Sequence, residues 1–194
     1  MFVTPHFVYV HVPKTGGNFM RDFAKRHFEI LWTSDLPGRP TQQHVPYDTL
    51  PPEYADLPAI SFVRNPWDYY VSQWAWILEH GKESRAAHVA RRSFKEFVQM
   101  GIGKPRGGFA TVFAGITRGT EVGRYEQLQE ELLSFFQRHD VPNTPELARD
   151  LRSAPRINAS EHRDYRDYYD DETRERVAGE CREIIETYGY SFDG

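Results

Sequence analysis

The stretch Phe7-Val8-Tyr9-Val10-His11-Val12-Pro13-Lys14-Thr15-Gly16-Gly17-Asn18-Phe19-Met20 constrains this chain more than any other, because it passes from an apolar β-branched run through Pro-Lys-Thr-Gly-Gly into helical spacing. Its first half has the composition and length of a buried strand. Its second half suits an anion. Two successive glycines let the backbone take conformations closed to other residues and bring bare N–H groups close to a ligand, and the helix that follows, Asn18 to about His27, points its positive N-terminal end at the same place. Lys14 adds a mobile full charge. A plain strand–turn–helix corner with a surface lysine would show the same pattern. The order also departs from the nucleotide P-loop, in which Lys follows the glycines and a hydroxyl reaches magnesium; here Lys14 comes first and Asn18 stands where that hydroxyl would be. The loop therefore suits an anion that needs no metal.

Composition narrows the partners. With 194 residues, 27% charged and 14% aromatic, the chain reads as one globular domain long enough for a real core. A net charge of −4 argues against a general nucleic-acid binder, and the acidic excess lies in residues 98–194, with 13 Lys/Arg against 18 Asp/Glu. The single cysteine, Cys181, excludes an intrachain disulfide framework and falls at core spacing with Val177, Ile184 and Ile185. No run approaches the ~20 apolar residues of a membrane span. Phe2 to Val12 is only a strand's length and contains Pro5 and two histidines, so it does not read as a signal peptide. The expectation is a soluble, cytoplasmic protein.

Along the chain, the first helix places Phe19, Met20, Phe23 and Ala24 on one face. A short strand is expected near Phe28 to Trp32. Ser34 to Pro58 holds six prolines and little periodicity, a long surface loop of the kind that often carries function. Within it lies Gln42-Gln43-His44-Val45-Pro46-Tyr47, where spacing alone gives His44 no special role. Ala59 to Val63 is a second buried strand, ending at Arg64. Asn65 is a favoured N-cap and Pro66 a favoured first residue for a helix running to about His80, with Trp67, Tyr70, Val71, Trp74, Ile77 and Leu78 as its apolar stripe.

Two polar positions stand against that stripe. Arg64 sits at the carboxyl end of a strand, where ligands bind in open α/β sheets. Ser72 lies two turns, roughly 10 Å, past Asn65 and returns to nearly the same side. An arginine and a hydroxyl so placed can share one phosphate. Equally, the arginine can cap sheet carbonyls and the serine bond its own helix.

The remaining segments read as structure. Ser93-Phe94-Lys95-Glu96 has capping-box spacing, Gly101 to Gly119 is glycine-rich and irregular, and Glu121 to Tyr125 is a further strand followed by a helix burying Leu128, Leu132, Phe135 and Phe136. Thr144-Pro145-Glu146 starts another helix, and one long helix runs from about Asp171 to Tyr188 before Gly189 stops it.

His11-Val12-Pro13-Lys14-Thr15-Gly16-Gly17 and Phe62-Val63-Arg64-Asn65-Pro66-Trp67-Asp68 with Ser72, taken together, resemble the sulfotransferases that use 3′-phosphoadenosine 5′-phosphosulfate (PAPS), of the carbohydrate, heparan sulfate 2-O-sulfotransferase-like type. The resemblance continues through Gly123-Arg124-Tyr125-Glu126-Gln127-Leu128, Asn158-Ala159-Ser160 and Tyr188-Gly189-Tyr190-Ser191-Phe192. It implies that Lys14, Thr15, Gly16, Gly17, Asn18 and Phe19 cradle the 5′-phosphosulfate, with Lys14 near the bridging oxygen, and that Arg64 and Ser72 hold the 3′-phosphate. It places His44 where related enzymes carry a catalytic base, and Arg163 or Arg166 close over the nucleotide, although by themselves those arginines read as a solvated charged loop. Two positions depart from the family pattern: Asn18 stands where Thr is usual, and Tyr69 where Asp68 is often followed by Arg.

The expected architecture is α/β, a single domain over residues 1–194 with a mostly parallel central sheet flanked by helices, the P-loop-like sulfotransferase fold. The expected activity is sulfuryl transfer from PAPS, releasing 3′,5′-ADP without a metal, to a hydroxyl-bearing acceptor such as a sugar or glycan. An ATP-dependent small-molecule kinase and a non-catalytic nucleotide-binding module are the alternatives.

Overall fold

Phe7, Val8, Tyr9, Val10 and Val12 are all buried, so the run that precedes the loop has protein on both faces, as a strand of an α/β sheet does. The computed structural model describes residues 1–34, 43–80, 91–102, 108–154 and 162–194. Of the motifs above, Gln42 and Asn158-Ala159-Ser160 lie outside the described residues. The chain divides into two units, Met1–Val63 with Phe113–Asn158, and Arg64–Val112 with Ala159–Gly194.

The first unit holds a five-stranded sheet in the order β3-β1-β2-β4-β5, from β1 (Phe2–Val3), β2 (Val8–Tyr9), β3 (Trp32–Thr33), β4 (Ala59–Val63) and β5 (Glu121–Arg124). Strands β2, β4 and β5 are parallel, with Tyr9 opposite Ile60 and Phe62 opposite Gly123. Strand β1 runs antiparallel to both β2 and β3, which makes the sheet mixed. The apolar segment Phe2 to Val12 is thus two strands. Thr4 builds the reversal: its Oγ1 donates to the Phe7 carbonyl at 3.0 Å and accepts from the Phe7 and His6 amides at 3.0 and 3.2 Å. One sheet face packs Phe7, Tyr9, Ile60 and Phe62 against helices α1 (Gly17–His27), α5 (Leu128–Arg138) and α6 (Pro145–Ser153). From α1, Phe19, Met20, Phe23 and Ala24 are the buried face, as their spacing predicts.

The second unit is helical, with α2 (Pro66–His80), α3 (Phe94–Gly101), α7 (Asp171–Glu180) and α8 (Arg182–Tyr188). Asn65 caps α2 through its side-chain oxygen, which accepts from the Trp67 and Asp68 amides at 3.0 and 3.4 Å. Ser93 and Glu96 form the reciprocal capping box expected of α3. The helix expected from Asp171 onward is interrupted at Cys181 and resumes as α8, which ends on Gly189 at φ 65°. The chain leaving α8 folds back, setting Phe192 edge-on to Trp67, Tyr165 and Tyr169.

Residues 101–119 are not wholly irregular. Helix α4 covers Phe109–Thr117, and its first amides are met by distant side chains: the Tyr70 hydroxyl accepts from Phe109 at 3.1 Å and the Glu180 carboxylate from Ala110 at 3.0 Å. Among the described residues, no helix is long and apolar enough to cross a membrane.

Candidate functional site

In the first unit, β2 delivers the chain into the Pro13–Gly17 turn through two further ladder bonds, Val8 N–H to Pro58 and Val10 N–H to Ile60, both 2.9 Å. Lys14 takes a left-handed conformation at φ 63° and Gly16 another at φ 80°, so the main chain coils tightly between strand and helix. Thr15 is fully buried, and its hydroxyl donates to the Val12 carbonyl at 2.8 Å, tying the turn to the strand end. Gly16 is the N-cap of α1 and supplies no side-chain cap, so the amides of Gly17, Asn18 and Phe19 have no partner within the helix. The first turn of α1 carries no acidic residue to oppose an anion.

Several of the residues named from the sequence contribute only main chain here. The Phe19 side chain is in the core, Asn18 is exposed, and both glycines serve by having no Cβ. At Gly16 a Cβ would come within 2.9 Å of Leu128 and 3.1 Å of the Tyr125 ring, so the Gly123–Leu128 segment is the wall behind the turn. At Gly17 a Cβ would lie 1.7 Å from Nε2 of His11.

His11 is one residue to which sequence reasoning assigned no role. It continues the inward face of Tyr9, with the two rings 6.0 Å apart and nearly parallel, and is only 7% exposed. Among the described residues its Nδ1 has no hydrogen-bond partner. Burial above all, with an electrostatic contribution from neighbouring His44, pushes its pKa well below the usual histidine range, so it is neutral. The signal available was its register: two residues past Tyr9 on a strand, it had to share that buried face.

His44 is exposed and lies beside it, with the ring centroids 4.4 Å apart. Its Nδ1 is 3.2 Å from the His11 carbonyl. A carbonyl only accepts, so Nδ1 carries the proton and Nε2 the lone pair, the tautomer a base needs.

In the second unit, Arg64 follows β4 directly and is brought against α2. Its Nη1 donates to Ser72 Oγ at 2.9 Å, and its Nε and Nη2 both reach Asp68 Oδ2 at 2.8 Å. Arg64 and Ser72 are 9% and 1% exposed, which fixes the guanidinium plane. Asn65 keeps that corner in place, as its Nδ2 donates to the Ser191 carbonyl at 3.3 Å. Arg163 is exposed, with its guanidinium 5.5 Å from the Tyr168 ring centroid. Arg166 is engaged by Asp164 at 2.7 and 2.9 Å and by the Asp193 carbonyl at 3.1 Å.

The fold is that of a sulfotransferase. Mouse sulfotransferase SULT7A1, solved as a complex with PAP, superposes with a TM-score of 0.65 over 94% of this chain and 88% of its own, at 11% sequence identity. No protein-family model and no curated protein matches the sequence.

Proposed function

We propose that this protein is a PAPS-dependent sulfotransferase acting on a hydroxyl of a carbohydrate. The observation that carries the reading is the Arg64–Ser72 pair, a fixed guanidinium and a hydroxyl 2.9 Å apart at the end of a parallel strand. Such a pair suits a 3′-phosphate, which PAPS has and ATP lacks. The solved neighbour of the same fold holds PAP, the desulfated nucleotide, which supports the same choice.

In this reading the Gly17, Asn18 and Phe19 amides and Lys14 bind the 5′-phosphosulfate, Arg64 and Ser72 bind the 3′-phosphate, and Arg163 closes over the nucleotide. The acceptor oxygen attacks sulfur, the bond from sulfur to the 5′-phosphate oxygen breaks, and 3′,5′-ADP leaves. Lys14 and the loop amides meet the negative charge that develops on that leaving oxygen. Nε2 of His44 takes the acceptor proton.

Calorimetry and labelled transfer test this together. The protein is expected to bind 3′,5′-ADP without magnesium, to bind 5′-AMP more weakly, and to move labelled sulfate from PAPS to at least one sugar in an acceptor panel. A preference for ATP with magnesium would make it a kinase instead. His44→Ala is expected to lower turnover by on the order of 10²–10⁴ while leaving 3′,5′-ADP affinity nearly unchanged. Full turnover in that variant would remove His44 from the role of base.

A further inference from the structure

Asp68 poses a problem for a phosphate receptor. Its carboxylate sits on the same guanidinium that is to receive a dianion, so each phosphate bound at Arg64 and Ser72 also meets a fixed negative charge on α2. A second cation is at hand. His162 directs Nε2 at the other carboxylate oxygen, Asp68 Oδ1, at 3.8 Å, and both side chains are largely shielded, at 13% and 20% exposure. The Nδ1 of His162 is 2.8 Å from the Arg163 carbonyl, which can only accept, so that nitrogen is the donor. Nε2 then shows Asp68 a lone pair when the ring is neutral and an N–H when it is charged. Only the charged ring suits a carboxylate.

We propose that His162 is a charge-balancing, positioning residue of the 3′-phosphate site: carrying a proton it offsets Asp68, so that Arg64 and Ser72 hold a 3′-phosphorylated nucleotide more tightly at pH 6 than they otherwise would. This rests on the reading of Arg64 and Ser72 as the 3′-phosphate receptor. The chain Ser72–Arg64–Asp68–His162 is continuous, and histidine is the member whose charge ordinarily changes between pH 5 and 8. Among the described residues, other charged groups lie near His162. Asp164, in its own segment, is taken by Arg166, whose hydrogen bonds chiefly hold that carboxyl down to about 2. The Arg163 guanidinium lies over the Tyr168 ring. Asp68, with Arg64 behind it, is the group that faces His162 from α2.

The sign follows from linkage. Protonated His162 favours the bound phosphate, so the contribution is present at low pH and fades as the ring loses its proton. The phosphate's own second ionisation, near pH 6, also changes affinity, but equally in any variant. The informative quantity is therefore the affinity of the native protein relative to His162→Gln, which keeps a hydrogen-bonding side chain and cannot be charged. By calorimetry with 3′,5′-ADP, that ratio is expected to be about 5-fold at pH 6 and to approach one at pH 8. With 5′-AMP, which has no 3′-phosphate, it should stay near one throughout. Titration of both proteins with 3′,5′-ADP at pH 6 in two buffers of different ionisation enthalpy gives a second readout, in which the phosphate's own proton release is common to both, and should show more proton uptake by the native protein than by His162→Gln. A ratio that is the same at both pH values, together with equal proton uptake by the two proteins, overturns the proposal. Equal affinity for 3′,5′-ADP and 5′-AMP at every pH would instead remove Arg64 and Ser72 from 3′-phosphate binding, and the role of His162 with it.

Discussion

Replacing Lys14 with glycine is expected to cut sulfate transfer by on the order of 10³ while leaving the protein as stable as before, or more stable by about 1 kcal/mol. The two effects have separate causes in one residue. At φ 63° the Lys14 backbone occupies the left-handed region, where a Cβ meets the following carbonyl oxygen and costs roughly 1–2 kcal/mol. Glycine removes that cost, though its greater freedom in the unfolded chain takes back roughly 0.5–1 kcal/mol. The ammonium group, by contrast, is the one full positive charge within the Pro13–Gly17 turn, and in the proposed reaction losing it would leave the leaving oxygen to the main-chain amides. Lys14→Ala makes the comparison complete, because it keeps the strained backbone and loses the charge. It should lose activity to the same degree as Lys14→Gly and be the less stable of the two in urea. If both variants retain transfer, the charge at this turn has no part in the reaction. If the glycine variant is the less stable, the left-handed turn is not where strain is stored.

A strained residue at this position fits the wider pattern. Backbone conformations that cost free energy persist where the surroundings over-determine them, and such places cluster at binding turns. Here the surroundings are Thr15 bonded to the strand end, the Tyr125–Leu128 wall at Gly16 and the His11 ring at Gly17. They explain why the Pro-Lys-Thr-Gly-Gly sequence could be read as a turn from its residues alone. Each glycine is required by something close in space, but the demand is expressed locally.

What could not be read depended on partners remote in sequence or on main-chain atoms. The reversal between β1 and β2 comes from the Thr4 hydroxyl meeting three backbone groups, and it is hidden inside an apolar run that looks continuous. Helix α4 starts where Tyr70 and Glu180 satisfy its first amides, 39 and 70 residues away along the chain, so no local pattern announces it. The Asn65 cap and the Ser93 capping box were legible for the opposite reason, since every atom involved lies within three residues. The Arg64–Ser72 contact was legible because Ser72, two turns past Asn65, returns to nearly the side on which the chain enters the helix. Asp68, four residues from each, shares that side and grips the guanidinium, but a carboxylate repels phosphate and so carries no signal of a phosphate site in the sequence. His44 gains its tautomer from a backbone carbonyl, which leaves no trace in the sequence.

The largest effect on stability is expected at Gly17, where alanine should cost about 3 kcal/mol or more, beyond the usual range for an exposed helix start. The new Cβ would fall 1.7, 2.1 and 2.2 Å from Nε2, Cε1 and Cδ2 of His11, a buried ring that lies 6.0 Å from that of Tyr9. Either the ring or the first turn of α1 has to move, and movement of the turn displaces the amides that would face the 5′-phosphosulfate. Weaker 3′,5′-ADP binding should therefore accompany the lower urea midpoint. The cause can be isolated with His11→Ala. Alone it should destabilise, because it opens a cavity beside Tyr9, but in combination with Gly17→Ala it should restore part of the loss, a coupling of about 0.5–3 kcal/mol in a double-mutant cycle. Strict additivity would mean that the ring is not what excludes a side chain at position 17. His11 also gives the cycle a pH signature. Its folded pKa is pushed below the ordinary 6.5 by burial, so the unfolded chain takes up a proton that the folded one refuses, and stability declines as the pH falls below that ordinary value. That acid-side decline should be smaller in every variant that lacks His11, whether or not Gly17 is changed, and a slope that is indifferent to His11 would show that the ring is not held neutral by its burial.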